Sequence, residues 1–224
     1  MPQLFTDPRR LRLLALLSIS CLICLVLEIY RIRVSGNHRF KFLIWNLFLA
    51  AIPLMITNAM ILLHEKSYIR WFIGLGSWLL FFPNAPYILT DLFHLKGRDD
   101  MPLWFDTAIL ISFAWTGLMM GFISLMDIQK MITKKIGHWS WIPISAFIFI
   151  GSFGIYLGRF LRWNSWDIIT HPKGLALDML QILIHPMQHG RVYAVTLVFG
   201  TFLFISYTTL WHLTMQHSSV KKNI

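Results

Sequence analysis

Long apolar runs alternate with short polar segments along the chain. Six of these runs approach the roughly 20 residues an α-helix needs to cross a bilayer. They cover Leu11–Ile29, Phe42–Leu63, Trp71–Thr90, Thr107–Met126, Trp139–Gly158 and Val192–Trp211, and the last five contain no Asp, Glu, Lys or Arg. The pattern predicts an all-α, polytopic transmembrane helical bundle of about six spans. It also predicts a single integral membrane domain over residues 1–224.

The ends of these runs refine the picture. Arg9, Arg10 and Arg12 precede the first run, and Glu28, Arg31 and Arg33 close it. This is similar to a secretory signal, but no A-x-A site follows, so the run reads as an uncleaved anchor. The third run is interrupted: Trp71–Phe82 is too short to cross alone, and Pro83-Asn84-Ala85-Pro86 follows it. Two prolines three apart remove two backbone donors and push the residues before them toward extended geometry, leaving Asn84 to satisfy some of the freed groups. At membrane depth such a break would line a wet cavity or a substrate site. At the interface it would only end a short, tilted helix.

The long segment Arg159–Arg191 carries an apolar stretch, Leu175–Ile184, bounded by Pro172/Gly174 and by Pro186. It is too short to span and predicts an amphipathic helix lying in the interface, with Asp178 and Gln181 on one face. Gly117-x3-Gly121 and Gly154-x3-Gly158 predict close helix approach. Lys221-Lys222 reads as a short mobile tail.

Composition agrees with this layout. Hydrophobic residues make up 56% of the chain and charged ones 13%, and mean hydropathy is +0.61. That excludes a soluble domain, which could not bury so much apolar surface. It also excludes a disordered chain, which would be richer in charge and poorer in aromatics. The formal net charge is +10. With the basic residues confined to short segments between apolar runs, it reads as topology signal and contact to lipid head groups, not as a nucleic-acid surface. Under six spans the 20 Lys and Arg residues divide evenly between the two membrane sides, so they leave orientation open. Cys21 and Cys24 form a C-x-x-C inside the first run, where thiols pack more often than they react.

Two segments carry candidate chemistry. Asp91 and His94 are three apart, so on a helix they lie side by side; a carboxylate beside an imidazole serves a proton relay, a metal half-site or a general base. The same residues also suit an interfacial helix start. The second segment runs from Gly158 to Asp167. On a continuing helix Arg159, Arg162, Trp163 and Trp166 would share one face, presenting two guanidinium groups to a phosphate or carboxylate. Trp166 would stack on Arg162. Asn164 and Asp167 complete the group, Asp106 stands at the mouth of the fourth run, and Asp167 could instead pair with Arg159 or Arg162. A basic, aromatic interface belt is the alternative for the whole segment. His185-x3-His189, with His171 and His94, has metal-ligand spacing, but Pro186 and Gly190 deny the pair a helix; no metal site is expected. No G-x-S-x-G, P-loop or G-x-G-x-x-G occurs, so no cofactor is expected.

The strings Phe81-Phe82-Pro83-Asn84-Ala85-Pro86-Tyr87-Ile88-Leu89-Thr90-Asp91-Leu92-Phe93-His94-Leu95, Trp104-Phe105-Asp106, Ser112–Gly117 and Gly154–Asp167 resemble domain-of-unknown-function family 1361, a family of bacterial integral membrane proteins. The resemblance runs from about Asn46 onward. Trp104-Phe105-Asp106 departs from a Trp-Tyr-Asp pattern and lacks its phenol hydroxyl. The family implies a multi-pass protein of the bacterial inner membrane and no particular activity. Three functions stay open. The first is binding or transport of a small anion or lipid head group, with Asp91 and His94 coupling protons. The second is an enzyme acting on a lipid-linked or phosphorylated substrate. The third is a structural or assembly protein. The first two expect the third and fifth loops to converge, bringing Asp91, His94 and Asp106 to Arg159, Arg162, Asn164 and Asp167. Membrane lipid is the expected partner throughout.

Overall fold

Asp7 opens the first helix: its carboxylate accepts the Arg9 amide at 2.9 Å, and Pro8 takes the first helical position, where its missing N–H costs nothing. Helix α1 (Pro8–Ser35) closes on Gly36, whose left-handed φ of 65° lets its amide return to the Ile32 carbonyl. A computed structural model describes residues 7–63, 67–95 and 101–220, with side chains as far as residue 214. The Lys221-Lys222 tail lies outside the described residues. The helices after α1 are α2 (Lys41–Leu62), α3 (Tyr68–Phe81), α4 (Asn84–Tyr87), α5 (Leu103–Ile136), α6 (Trp141–Phe160), α7 (Asp167–Thr170), α8 (Pro172–Ile184) and α9 (Gly190–Val220). The 3-10 turns Ile88–His94 and Gly137–Ser140 lie between them, and the described residues contain no strand.

Among the described residues, five segments are long and apolar enough to cross a membrane: Pro8–Ser35, Lys41–Leu62, Tyr68–His94, Leu103–Phe160 and Gly190–Thr214. The fourth, of 58 residues, would run about 87 Å as one helix, nearly three times the hydrocarbon thickness. It is instead two helices, α5 and α6, separated where Gly137 adopts a φ of 61°. The bundle is thus all-α, with six apolar helical stretches corresponding to the six expected spans.

The third span breaks at Pro83/Pro86, though not into extended chain. Phe82 keeps φ −53° and ψ −39°, and Pro83 stays helical as well. The prolines change the hydrogen-bond register. The Ala85 amide reaches only to Phe82 (3.1 Å), which leaves the Phe81 carbonyl open, and the Asn84 side chain donates to it at 2.9 Å. Beyond Tyr87 the chain tightens into the 3-10 turn, with the Thr90 hydroxyl donating to the Tyr87 carbonyl at 2.7 Å. Glycines on α5 fit against this irregular stretch. A Cβ on Gly117 would lie 2.8 Å from Ile88 and 3.2 Å from Ala50, and one on Gly121 would lie 2.7 Å from Ala85.

The chain divides into two compact units, Met1–Ile128 and Gln129–Ile224. In the first, α1, α2, the Ile88–His94 turn and α5 share a core that includes Cys24, Leu47, Leu54, Ile88 and Phe113. Helices α1 and α5 run in opposite directions and are tied at three levels. Arg10 donates to Asp127 through both terminal nitrogens, at 3.1 and 2.7 Å. Ser20 and Thr116 hydroxyls lie 2.6 Å apart. Arg31 donates to Asp106 through Nε at 2.8 Å and Nη2 at 3.2 Å. Arg10 to Arg31 and Asp106 to Asp127 are each 21 residues, about 31 Å along a helix, which is the thickness of the hydrocarbon core.

In the second unit α6 and α9 also run in opposite directions. The Phe149 ring lies 2.5 Å from where a Gly200 Cβ would be, Trp141 packs edge-on against Tyr207 and Trp211, and Tyr156 and Val192 share a small core with Ile182 of α8. The buried Tyr207 hydroxyl donates to the Gln129 side chain.

The glycine contacts set an expectation. Gly121→Ala should destabilise the protein by about 1–3 kcal/mol through overpacking against Ala85. Gly76→Ala, which meets nothing within 4 Å, should be neutral or stabilising. Thermal unfolding in detergent compares the two; equal melting temperatures would exclude the close approach of α5 to the broken span.

Candidate functional site

In the first unit the sequence-predicted residues sit among protein donors. Asp91 is buried and accepts the Asn46 side-chain amide at 2.7 Å. His94 is half-buried, its ring 4.8 Å from that of Phe42, and its carbonyl accepts Arg39 at 2.8 Å. The two lie in the 3-10 turn, where residues three apart eclipse, so they occupy the same edge as expected. Asp106 is buried and gripped by both arms of Arg31, whose guanidinium also lies 4.5 Å from the centroid of the Phe40 ring. Asn84 patches the broken helix, as described above.

In the second unit the structure corrects the expected arginine–tryptophan face. Helix α6 ends at Phe160, and Arg162 adopts φ 61°, the left-handed conformation that usually requires glycine. The helical spacing that would align Arg159, Arg162, Trp163 and Trp166 therefore stops before Arg162. The reason is tertiary. Trp163 donates its indole N–H to Asp178 of α8 at 2.8 Å and rests on Gly174, while its amide turns back to the Leu157 carbonyl at 3.1 Å. Asp167 joins this turn instead of pairing with Arg159 or Arg162. It accepts the Asn164 amide at 2.7 Å, the Asn164 side chain at 3.3 Å and the Thr170 hydroxyl at 3.0 Å. These bonds, led by the Asn164 amide, hold its carboxyl below the usual carboxylate range, against the opposing effect of burial.

What remains is a hydrogen-bonded turn with exposed cations. Arg162, Lys173 and Arg191 are exposed and Arg159 is half-buried, with the Arg191 guanidinium 6.0 Å from the centroid of the Phe160 ring. Around them Trp166, Ile169, Leu177, Leu180, Leu183 and Met187 are also exposed, Met187 to 96%. Exposed cations and exposed apolar side chains at one helix end are a combination suited to the boundary between head groups and acyl chains.

Residues 45–206, well over half of the chain, match the family model for proteins of unknown function DUF1361. The chain belongs to this family. No curated protein and no solved structure matches it. Within the DUF1361 match lie Asn84, Asp91, His94, Asp106 and the whole Arg159–Asp167 segment, whereas Arg10 and Arg31, the cationic partners of Asp127 and Asp106, fall before it. Sequence reading passed over both pairs. Their signal was the equal 21-residue spacing of two arginines flanking the first run and two aspartates flanking the fourth. Among the described residues no three His, Cys, Asp or Glu side chains are grouped to hold a metal ion.

Two outcomes follow for these carboxylates. Asp106→Asn should cost about 3–5 kcal/mol, because it removes the carboxylate that accepts both arms of the buried Arg31. The exchange Arg31→Asp with Asp106→Arg should recover part of that loss; denaturation in detergent measures both. Asp167 contributes stability above its unfolded value of about 3.9 and loses it as pH falls through its lower folded value. Hydrogen exchange at the Asn164 amide should therefore stay slow down to about pH 4 in the wild type, and be fast at every pH in Asp167→Ala, which removes the acceptor. An Asn164 amide equally protected in both would rule the cap out.

Proposed function

We propose that this DUF1361 protein is a multi-pass protein of the bacterial inner membrane that binds the phosphate of anionic lipid head groups at the turn following α6. The observation that carries this reading is Arg162. A non-glycine residue in the left-handed region costs about 1–2 kcal/mol, and the Arg162 side chain held there is exposed. Strain held in place by surrounding bonds, here those of Trp163 and Asp167, is characteristic of residues whose side chain has another task.

Arg162 supplies a fork that matches a phosphate, with Arg159, Lys173 and Arg191 adding positive charge nearby. The exposed Leu177, Leu180 and Ile184, at i, i+3 and i+7 on α8, favour a ligand that brings acyl chains over a free anion. Asn164, Asp167 and Trp166 then shape the turn.

Arg162→Gly separates this reading from a purely structural one. Glycine relieves the strain, so thermal stability should hold or rise. Loss of one charge-assisted contact should weaken binding of short-chain phosphatidylglycerol about tenfold. Arg162→Lys should fall in between. Titration of the purified full chain in neutral detergent with phosphatidylglycerol, phosphatidylcholine and inorganic phosphate reads the effect. Unchanged phosphatidylglycerol binding by Arg162→Gly would defeat the proposal. Inorganic phosphate binding as tightly as the lipid would move the ligand to a free anion.

A further inference from the structure

Glu28 is fully buried, and neither of its carboxyl oxygens meets a hydrogen-bond donor from the protein. It lies three residues before Arg31 on α1, about 4.5 Å closer to the membrane centre if the two Arg–Asp pairs mark the hydrocarbon edges. The charged groups that act on it are Arg31 on its own helix, Lys41 at the start of α2 and Asp106 in the first turn of α5. Arg31 stands nearest in sequence, yet its fork is taken. Nε and Nη2 are on Asp106, and Nη1 reaches the Asn37 carbonyl at 3.4 Å. Arg31 thus acts on two carboxyl groups, and its hydrogen bonds go to Asp106 and not to Glu28.

A buried carboxylate without donors costs several kcal/mol, whereas the neutral acid carries its own O–H and avoids most of that cost. Native interiors rarely leave such a group unmatched, and the exceptions mark unseen ions, waters or function. Within a membrane span an ionisable side chain with no protein partner is a functional site by default. A metal ion finds no group of three ligating side chains among the described residues. A proton needs only the one carboxyl.

We propose that Glu28 is a proton-binding site, and that Glu28 and Asp106 compete for Arg31. When the Glu28 acid gives its proton to water, the resulting carboxylate draws the guanidinium one turn away from Asp106 and loosens the α1–α5 pair at that end. Proton uptake restores the Arg31–Asp106 grip. This would make one end of the first unit sensitive to proton exchange, independently of the lipid-binding turn in the second unit.

Infrared difference spectroscopy of the full chain in liposomes, titrated in H2O and D2O, tests this without a reagent having to reach the site. The expected result is a protonated-carboxyl C=O band that shifts in D2O and disappears as pH is raised. It should be absent in Glu28→Gln, and in Asp106→Asn it should disappear at lower pH than in the wild type, because Arg31 is then released to the Glu28 carboxylate. Glu28→Asp, which keeps the acid, should move the band rather than abolish it; this variant decides the matter if Glu28→Gln fails to fold. No protonated-carboxyl band, or a band that survives in Glu28→Gln, would overturn the assignment. Loss of the band on adding Na+ or K+ at fixed pH would overturn it in favour of a cation site. Phosphatidylglycerol binding in Glu28→Gln should match the wild type, so failure of either proposal leaves the other standing.

Discussion

A charge that must stand at the edge of an apolar slab needs an opposite charge beside it, and that requirement organises the first unit. Arg31 is fully buried and Arg10 nearly so. Left alone, either would carry the desolvation cost of an ion in a low-dielectric interior. Asp106 and Asp127 relieve both, and because the two spacings are equal, a single antiparallel register satisfies both pairs at once. A shift by one residue would strain both bridges, and a shift by one turn would break them. The Ser20–Thr116 contact at mid-length falls where that register demands. The core between α1, α2 and α5 packs around a geometry that the ends have already fixed.

That register also explains how the interrupted third span is tolerated. The backbone freed by Pro83 and Pro86 is enclosed in protein, where Asn84 and Thr90 take two carbonyls and the glycine face of α5 comes close enough to exclude water. Asn84 therefore acts first on its own backbone. Trp78 anchors the other side of the break, its indole N–H on the Ser124 hydroxyl at 3.1 Å and its ring stacked on Phe82. Asp91, Asp106 and Asp127 each accept protein donors, which is what makes the unmatched carboxyl of Glu28 informative.

The second unit solves a different problem, the passage from a helix into the interface. Three tethers stop α6: the left-handed Arg162, the Trp163–Asp178 bond and the Asp167 cap. They turn a segment rich in Arg and Trp into a fixed platform instead of a continuing helix. Helix α8 follows with Leu177, Leu180, Leu183 and Ile184 outward and Ile182 in the core. Neither Asn164 nor Asp167 needs to touch a ligand to matter, since both hold the turn that presents the arginines.

The helical stretches, the break at Pro83/Pro86 and the helix before α9 were legible in the sequence, because each depends on local facts: a run of some 20 apolar residues, a missing amide, a short stretch bounded by prolines. The residue types at the candidate site were legible for the same reason. Their partners were not. Arg31 and Asp106 are 75 residues apart, Arg10 and Asp127 are 117 apart, and nothing local links them. The expected face of Arg159, Arg162, Trp163 and Trp166 failed because a helix end is set by capping bonds, and one of those, from Trp163 to Asp178, comes from another helix. Sequence alone determined which segments must leave water and which residues carry charge. Tertiary structure decided which charge answers which, because the burial cost of an ion is settled by whatever the fold brings beside it.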